Sequence, residues 1–217
     1  MNKNLELEKI QQALSKIESD FDFFLEEKKH TLEKNEKLIL YNFIESSASY
    51  IKLSMLNYNG TVQVLALSAR SLYEIRLWLR FIKKDKSNMN IWIQEAKNDY
   101  NDILNCFINL IEKTPGAIAY FNDSLSMLKN KKSCINNSIK QRIRMDNIAS
   151  QVGEKDEYAV FYKFFSKLAH PTSYLVNSGD EVQVFEFRKM LLCSIEKYSQ
   201  EILEEVKELF RKLNKFR

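Results

Sequence analysis

Apolar residues recur at steps of three and four through most of the chain. Leu7, Ile10, Leu14, Ile17, Phe21 and Phe24 mark the first stripe, with charged positions between them. That period belongs to one face of a helix, not to a strand. A second stripe, Leu40, Phe43, Ile44, Ala48, Ile51 and Met55, predicts a helix over about 36–56. The turn-forming run Asn57-Tyr58-Asn59-Gly60 ends it. Thr61 stands where it can cap a third helix, TVQVLALSARSLYEIRLWLRFIKK. This helix is apolar on most of its circumference and belongs in the middle of a bundle. A fourth helix is expected from about Asn88 to Lys113, stopped by Thr114-Pro115-Gly116, and a shorter one from Ala117 to Leu128. The polar stretch Lys129–Asn137 reads as a loop, and Ser138–Val152 as a helix ending at Gly153. In EKDEYAVFYKFFSKLAHPTSYLV, Pro171 disfavours helical backbone at His170, so a helix should finish there. Asn177-Ser178-Gly179-Asp180 is a turn, and EVQVFEF fits either a short strand or the start of the last helix. Ile195, Tyr198, Ile202, Val206, Leu209, Leu213 and Phe216 form the closing seam.

Only four Gly and two Pro occur in 217 residues. Sheet proteins need many more turn formers, so the fold class is all-α: a bundle of about six to eight helices with long terminal helices. The expected organisation is an N-terminal amphipathic helix over 1–35 and a single helical-bundle domain over 36–217. The matching terminal seams fit packing on the core. They equally fit pairing between chains, as a homodimer or with a partner protein. With 45% hydrophobic residues the chain can bury a normal core. Cys106, Cys134 and Cys193 are scattered and odd in number, as free thiols in a reducing compartment would be. His30 and His170 are the only histidines, so no metal site and no cofactor are expected. His30, within KKHTLEK, reads as solvated surface. No apolar run approaches the roughly 18 residues of a membrane span, and the N-terminus has no apolar signal core. A cytoplasmic protein without a membrane partner is the expectation.

Two polar constellations interrupt apolar helices. Arg70 and Glu74 share a face of the third helix at i,i+4, among Leu67, Leu72, Ile75, Trp78 and Leu79. Charges there are costly unless paired. Tyr162, Ser166 and His170 share a face at i, i+4, i+8, with His170 at the helix end. Should the two faces meet, Arg70 would hold a phosphate or carboxylate, Glu74 would orient the imidazole, and His170 would move a proton. Tyr162 and Ser166, with Lys163 and Lys167 beside them, are the substrate-binding candidates. The alternative is a structural ion pair with a histidine at a helix C-terminus, where its cation suits the dipole. A third feature is a span between Ser124 and Met145 without an acidic residue, carrying Lys129, Lys131, Lys132, Lys140, Arg142 and Arg144. It is a candidate patch for RNA phosphates, to which Arg211, Lys212, Lys215 and Arg217 would add. Net charge is only +4, so the chain as a whole is not a polycation. Motifs of P-loop, dinucleotide, zincin and α/β-hydrolase enzymes are absent.

ARSLYEIRLWLRFI and FYKFFSKLAHPTSYL together resemble an uncharacterised family of bacterial helical proteins, over roughly residues 40–200. More distantly, the late-helix histidine is similar to that of the HEPN superfamily, helical bundles that include ribonucleases of toxin–antitoxin and phage-defence systems. The HEPN pattern sets an arginine, then four to six intervening residues, then the histidine. Here those positions are Lys163, Phe164 and Phe165, so the guanidinium would have to come from Arg70. The resemblance implies a toxin- or defence-type effector and a metal-independent ribonuclease. His170 would transfer the 2′-OH proton and Arg70 would stabilise the phosphorane. A helical interaction module working through the terminal helices and a sensor of small anions are the competing expectations.

Overall fold

A computed structural model describes residues 3–32, 35–114, 125–131, 142–170, 172–178 and 184–215. Its helices are α1 (Lys3–Lys28), α2 (Asn35–Leu56), α3 (Val62–Lys84), α4 (Asn88–Lys113), α5 (residues 125–131), α6 (Met145–Gln151), α7 (Lys155–Ala169), α8 (Ser173–Ser178) and α9 (Phe185–Lys215). A 3-10 turn, Lys29–Thr31, follows α1. Nine α-helices and no strand occur among the described residues, one helix more than the upper expectation. The chain divides into one unit of residues 1–85 and 145–217 and a second of residues 86–144.

In the first unit, α3 lies against α2, α6, α7 and α9. Its Leu65, Ala66, Ala69, Leu72, Tyr73, Leu77 and Leu79 are fully buried. Apolar surface around nearly the whole helix thus finds cover on several sides. Side-chain pairings give the directions. Arg76 reaches Glu201 and Lys83 reaches Glu208, so α3 and α9 run parallel. Arg70 reaches His170 while Arg76 reaches Glu157, so α3 and α7 run antiparallel. The α1 seam (Ile10, Leu14, Ile17, Phe21, Phe24) and the α9 seam (Ile195, Tyr198, Ile202, Val206, Leu209, Leu213) are buried within the chain. Phe24 and Phe210 meet edge to face with centroids 5.3 Å apart. The terminal seams are therefore spent on the chain's own core, and an oligomer formed through them would have to expose that core.

Local punctuation follows residue chemistry. Thr61 occupies the N-cap of α3 with extended backbone, but its hydroxyl makes no capping bond, contrary to expectation. The turn before α3 closes through Gly60 N–H to Asn57 O at 2.8 Å, and Arg188 of α9 donates to the Tyr58 and Gly60 carbonyls, each at 2.6 Å. Helix α6 begins at Met145, later than the expected Ser138; residues 132–141 lie outside those described. Gly153, at φ +82°, ends α6 in a Schellman closure: Glu154 N–H donates to Ala149 O and Gly153 N–H to Ser150 O. α7 ends at Ala169, and His170 is extended at φ −109°, ψ 153°, as a residue before proline should be. Of the ambiguous EVQVFEF, residues 185–187 open the last helix, which starts at Phe185; residues 181–183 are not described. In the second unit, Ile108 and Ile111 of α4 pack with Leu125 and Leu128 of α5. Helical residues 129–131 replace part of the expected loop, and residues 115–124 of the expected 117–128 helix are not described.

Candidate functional site

The antiparallel α3–α7 contact brings the two predicted constellations together. Arg70 Nε donates to Glu74 Oε1 at 3.0 Å, as the i,i+4 spacing requires. Arg70 Nη1 lies 2.8 Å from His170 Nε2, and Nη2 donates to the Tyr162 hydroxyl at 2.9 Å. The guanidinium carbon also sits 4.7 Å from the Tyr162 ring centroid. A guanidinium carries five N–H donors and accepts none. His170 Nε2 must therefore accept, which puts the imidazole proton on Nδ1. Three donors are used by these partners, which leaves one N–H on each terminal nitrogen without a partner among the described residues. Glu74 has Arg70, not His170, as its described partner, so it orients the guanidinium where it was expected to orient the imidazole.

The cluster is at the surface. His170, Lys163 and Lys167 are exposed, and Arg70 and Glu74 are partly covered. The Ser166 hydroxyl is buried on the same α7 face and has no hydrogen-bond partner among the described residues. Tyr162 stacks on Tyr158 with centroids 4.7 Å apart, and Tyr158 stacks on Tyr73 at 6.3 Å. Burial first, then Tyr162 and the carboxylates of Glu74 and Asp146, push the Tyr158 phenol up to about 12. Tyr158 and Tyr73 thus form a stacked column behind the Tyr162 ring on which the guanidinium rests.

Nearly two turns further along α3 lies a network that sequence reasoning missed. Arg76 is fully buried. Its guanidinium sits between the rings of Tyr73 and Tyr198, 5.0 and 4.8 Å from their centroids. It pairs with Glu154, with Glu201 at 2.5 Å, and with Glu157 at 3.4 Å. Arg80 joins the same Glu154 and meets Glu201 at 2.9 Å. Burial opposes the Arg76 charge, but the Glu201 hydrogen bond and the charges of Glu154, Glu201 and Glu157 more than restore it. Burial also drives the Tyr73 and Tyr198 phenols upward. This is structural machinery with every carboxylate engaged. A signal existed: Arg76, Arg80 and Lys83 repeat at the same spacing as Glu201, Glu205 and Glu208.

The described part of the basic patch belongs to the second unit, and two of its cations meet carboxylates of α4. Lys129 pairs with Glu112 at 2.5 Å, and Arg142 pairs with Asp99 at 3.1 Å and Asp102 at 2.7 Å. Arg144 and Lys131 are described as well, and Arg144 has a partner. Lys132, Lys140 and Arg217 lie outside the described residues. On α9, Lys212 pairs with Glu208 and Arg211 is exposed. Cys106 and Cys193 are free and exposed, whereas Cys134 is not described. Among the described residues no group of three His, Cys, Asp or Glu could hold a metal, and no helix is long and apolar enough to cross a membrane.

No curated protein and no solved structure matches the chain significantly. A protein-family model does match, over residues 36–182, which takes in α2 to α8 and hence all of Arg70, Glu74, Tyr162 and His170. By that match the chain belongs to the family of unknown function DUF5677.

Proposed function

We propose that the Arg70–Glu74–Tyr162–His170 cluster is the active site of a metal-independent ribonuclease acting as a toxin- or defence-type effector. The observation that carries this reading is the 2.8 Å approach of Arg70 Nη1 to His170 Nε2, made by residues 100 positions apart at an exposed helix end. An arginine beside a histidine is the pair that phosphodiester transfer uses: one stabilises charge, the other moves a proton. The HEPN resemblance supports RNA as the substrate class. Arg70 supplies from α3 the guanidinium that positions 163–165 lack.

The chemistry runs through the free donors. A phosphate oxygen takes an Arg70 N–H, and the shift of that guanidinium releases the His170 Nε2 lone pair. Nε2 then removes the 2′-OH proton, O2′ attacks phosphorus, and the P–O5′ bond breaks as the imidazolium returns the proton to O5′. The products are a 2′,3′-cyclic phosphate and a 5′-hydroxyl. Arg70 stabilises the phosphorane oxygens, Glu74 and Tyr162 hold its plane, and the exposed Lys163 and Lys167 attract flanking phosphates. Lys129 and Arg142 are occupied by acidic partners, so the phosphate contacts fall to the α7 lysines.

End-labelled single-stranded RNA incubated with the purified chain tests this. The expected outcome is cleavage leaving cyclic phosphate ends, reduced at least about 100-fold by either His170→Ala or Arg70→Ala. Unchanged cleavage in His170→Ala, or none by wild type over a broad substrate panel, overturns it. A second reading, a sensor of small anions, draws on the same two free guanidinium donors. It expects phosphate or a nucleotide to raise the melting temperature of wild type and not of Arg70→Ala.

A further inference from the structure

Helix α4, in the second unit, carries two apolar stripes. Leu104, Ile108 and Ile111 are buried, and the two isoleucines pack on Leu125 and Leu128 of α5. The other stripe is open: Tyr100 is 43% exposed, Ile103 53%, Phe107 54% and Leu110 63%. It lies about a quarter of the way round the helix from the buried one, so it can be covered without disturbing that packing. Ile93 and Ala96 continue it toward the helix start, and the series 93, 96, 100, 103, 107, 110 steps by 3, 4, 3, 4 and 3. That is heptad spacing, the a and d positions of a coiled-coil seam. Exposed apolar residues scattered singly carry no message, but a continuous row at this spacing fits a second helix.

The charges beside the row choose that helix. The g positions on its open flank are Asp99, Cys106 and Lys113, all exposed. Two copies of α4 laid antiparallel, with Tyr100 opposite Leu110 and Ile103 opposite Phe107, set each aromatic ring against an aliphatic side chain. In that arrangement g positions face g positions. Asp99 of each copy then meets Lys113 of the other, and the two Cys106 meet at the two-fold axis. A parallel pair instead sets Asp99 and Cys106 against Leu104 and Ile111, which are buried in their own unit, and gains no charge pair. Asp99 meets Arg142 of its own chain at 3.1 Å with 62% of its side chain exposed, so its carboxylate stays open to a second cation. We infer that the exposed stripe of α4 is a homodimer interface, in which two copies of this chain pair antiparallel about an axis at Cys106. The inference goes beyond the ribonuclease reading and does not draw on it.

Sedimentation equilibrium of the full chain from about 1 to 100 µM tests this, with a dimer expected. Phe107→Glu puts a charge in the middle of the stripe and should weaken the dimer at least about 100-fold. Lys113→Asp sets carboxylate against carboxylate twice and should weaken it about tenfold, as should Asp99→Lys, and the double variant Asp99→Lys/Lys113→Asp should associate like wild type. Recovery in the double variant is a result that only antiparallel pairing of like chains gives. The substituted side chains are exposed, so the fold is retained, and a melting curve of each variant verifies it. In a chain carrying Cys134→Ser and Cys193→Ser, a short bismaleimide should join two copies through Cys106. A wild type that stays monomeric at the highest concentration assigns the stripe to a different protein and overturns the inference. So does a dimer that survives Phe107→Glu, or a double variant no tighter than the single ones.

Discussion

Two arginines six positions apart on one helix have opposite fates. Arg70 keeps part of its side chain in solvent and two donors in reserve, whereas Arg76 is sealed among tyrosines and glutamates. Removing a fully buried partner leaves uncompensated charge, so Arg76→Ala should cost about 3–5 kcal/mol at neutral pH by urea unfolding. Gly153 supports the same network at one remove, because its closure of α6 delivers Glu154 to Arg76 and Arg80. A Cβ at Gly153 would meet nothing within 4 Å, so Gly153→Ala should cost only the positive-φ penalty, about 1 kcal/mol. The Arg70 cluster was legible in the sequence because an i,i+4 pair in an apolar helix and a histidine before proline are local signals. The Arg76 cluster was not, since its carboxylates come from the turn before α7, from α7 and from α9, and the matched spacing of Arg76, Arg80 and Lys83 with Glu201, Glu205 and Glu208 joins helices far apart in the chain.

At the scale of elements, the parallel run of α3 beside α9 ends in a ladder of charge. Lys83 meets Glu205 at 2.7 Å and Glu208 at 2.6 Å, and Lys212 meets Glu208 at 2.9 Å. The Lys83 and Lys212 hydrogen bonds hold the Glu208 carboxyl down at about 2, below its ordinary 4.5. A depressed carboxylate contributes stability above its unfolded value and loses it as pH falls through the folded one. Melting temperatures should show a small advantage of wild type over Glu208→Gln at pH 6, narrowing between about pH 4.5 and pH 2. Helix periodicity made α2 to α4 readable to within a residue or two, because amphipathic or apolar stripes span them; α1 ends at Lys28, short of the expected 35, and the start of α9 was left open between strand and helix. The short elements α5, α6 and α8 were harder. They bury few residues each, and their bounds depend on contacts such as the Gly153 closure and the Thr172 hydroxyl, which donates to Lys167 O and accepts from Leu175 N–H.

Across the whole molecule, the central helix depends on partners far away in the chain. Arg76 and Glu201 are 125 residues apart, and Arg80 and Glu201 are 121 apart. The seams of α1 and α9 were equally compatible with a dimer on paper, and only the packed chain shows them turned inward. A chain cut after residue 184 lacks α9 and so loses Glu201, Glu205 and the apolar cover of α3. It should bind a hydrophobic dye and unfold without cooperativity, and a sharp calorimetric transition in that fragment would contradict the assignment of α9 to the core. The parallel pairing of α3 with α9 also bears on synthesis. A ribosome finishes α3 more than a hundred residues before it makes α9. Throughout that interval the most deeply sealed guanidinium of the mature protein has neither Glu201 nor the Tyr198 ring. Productive folding of this core is thereby deferred until α9 has been made, and a nascent chain stalled before it is a natural client for chaperones.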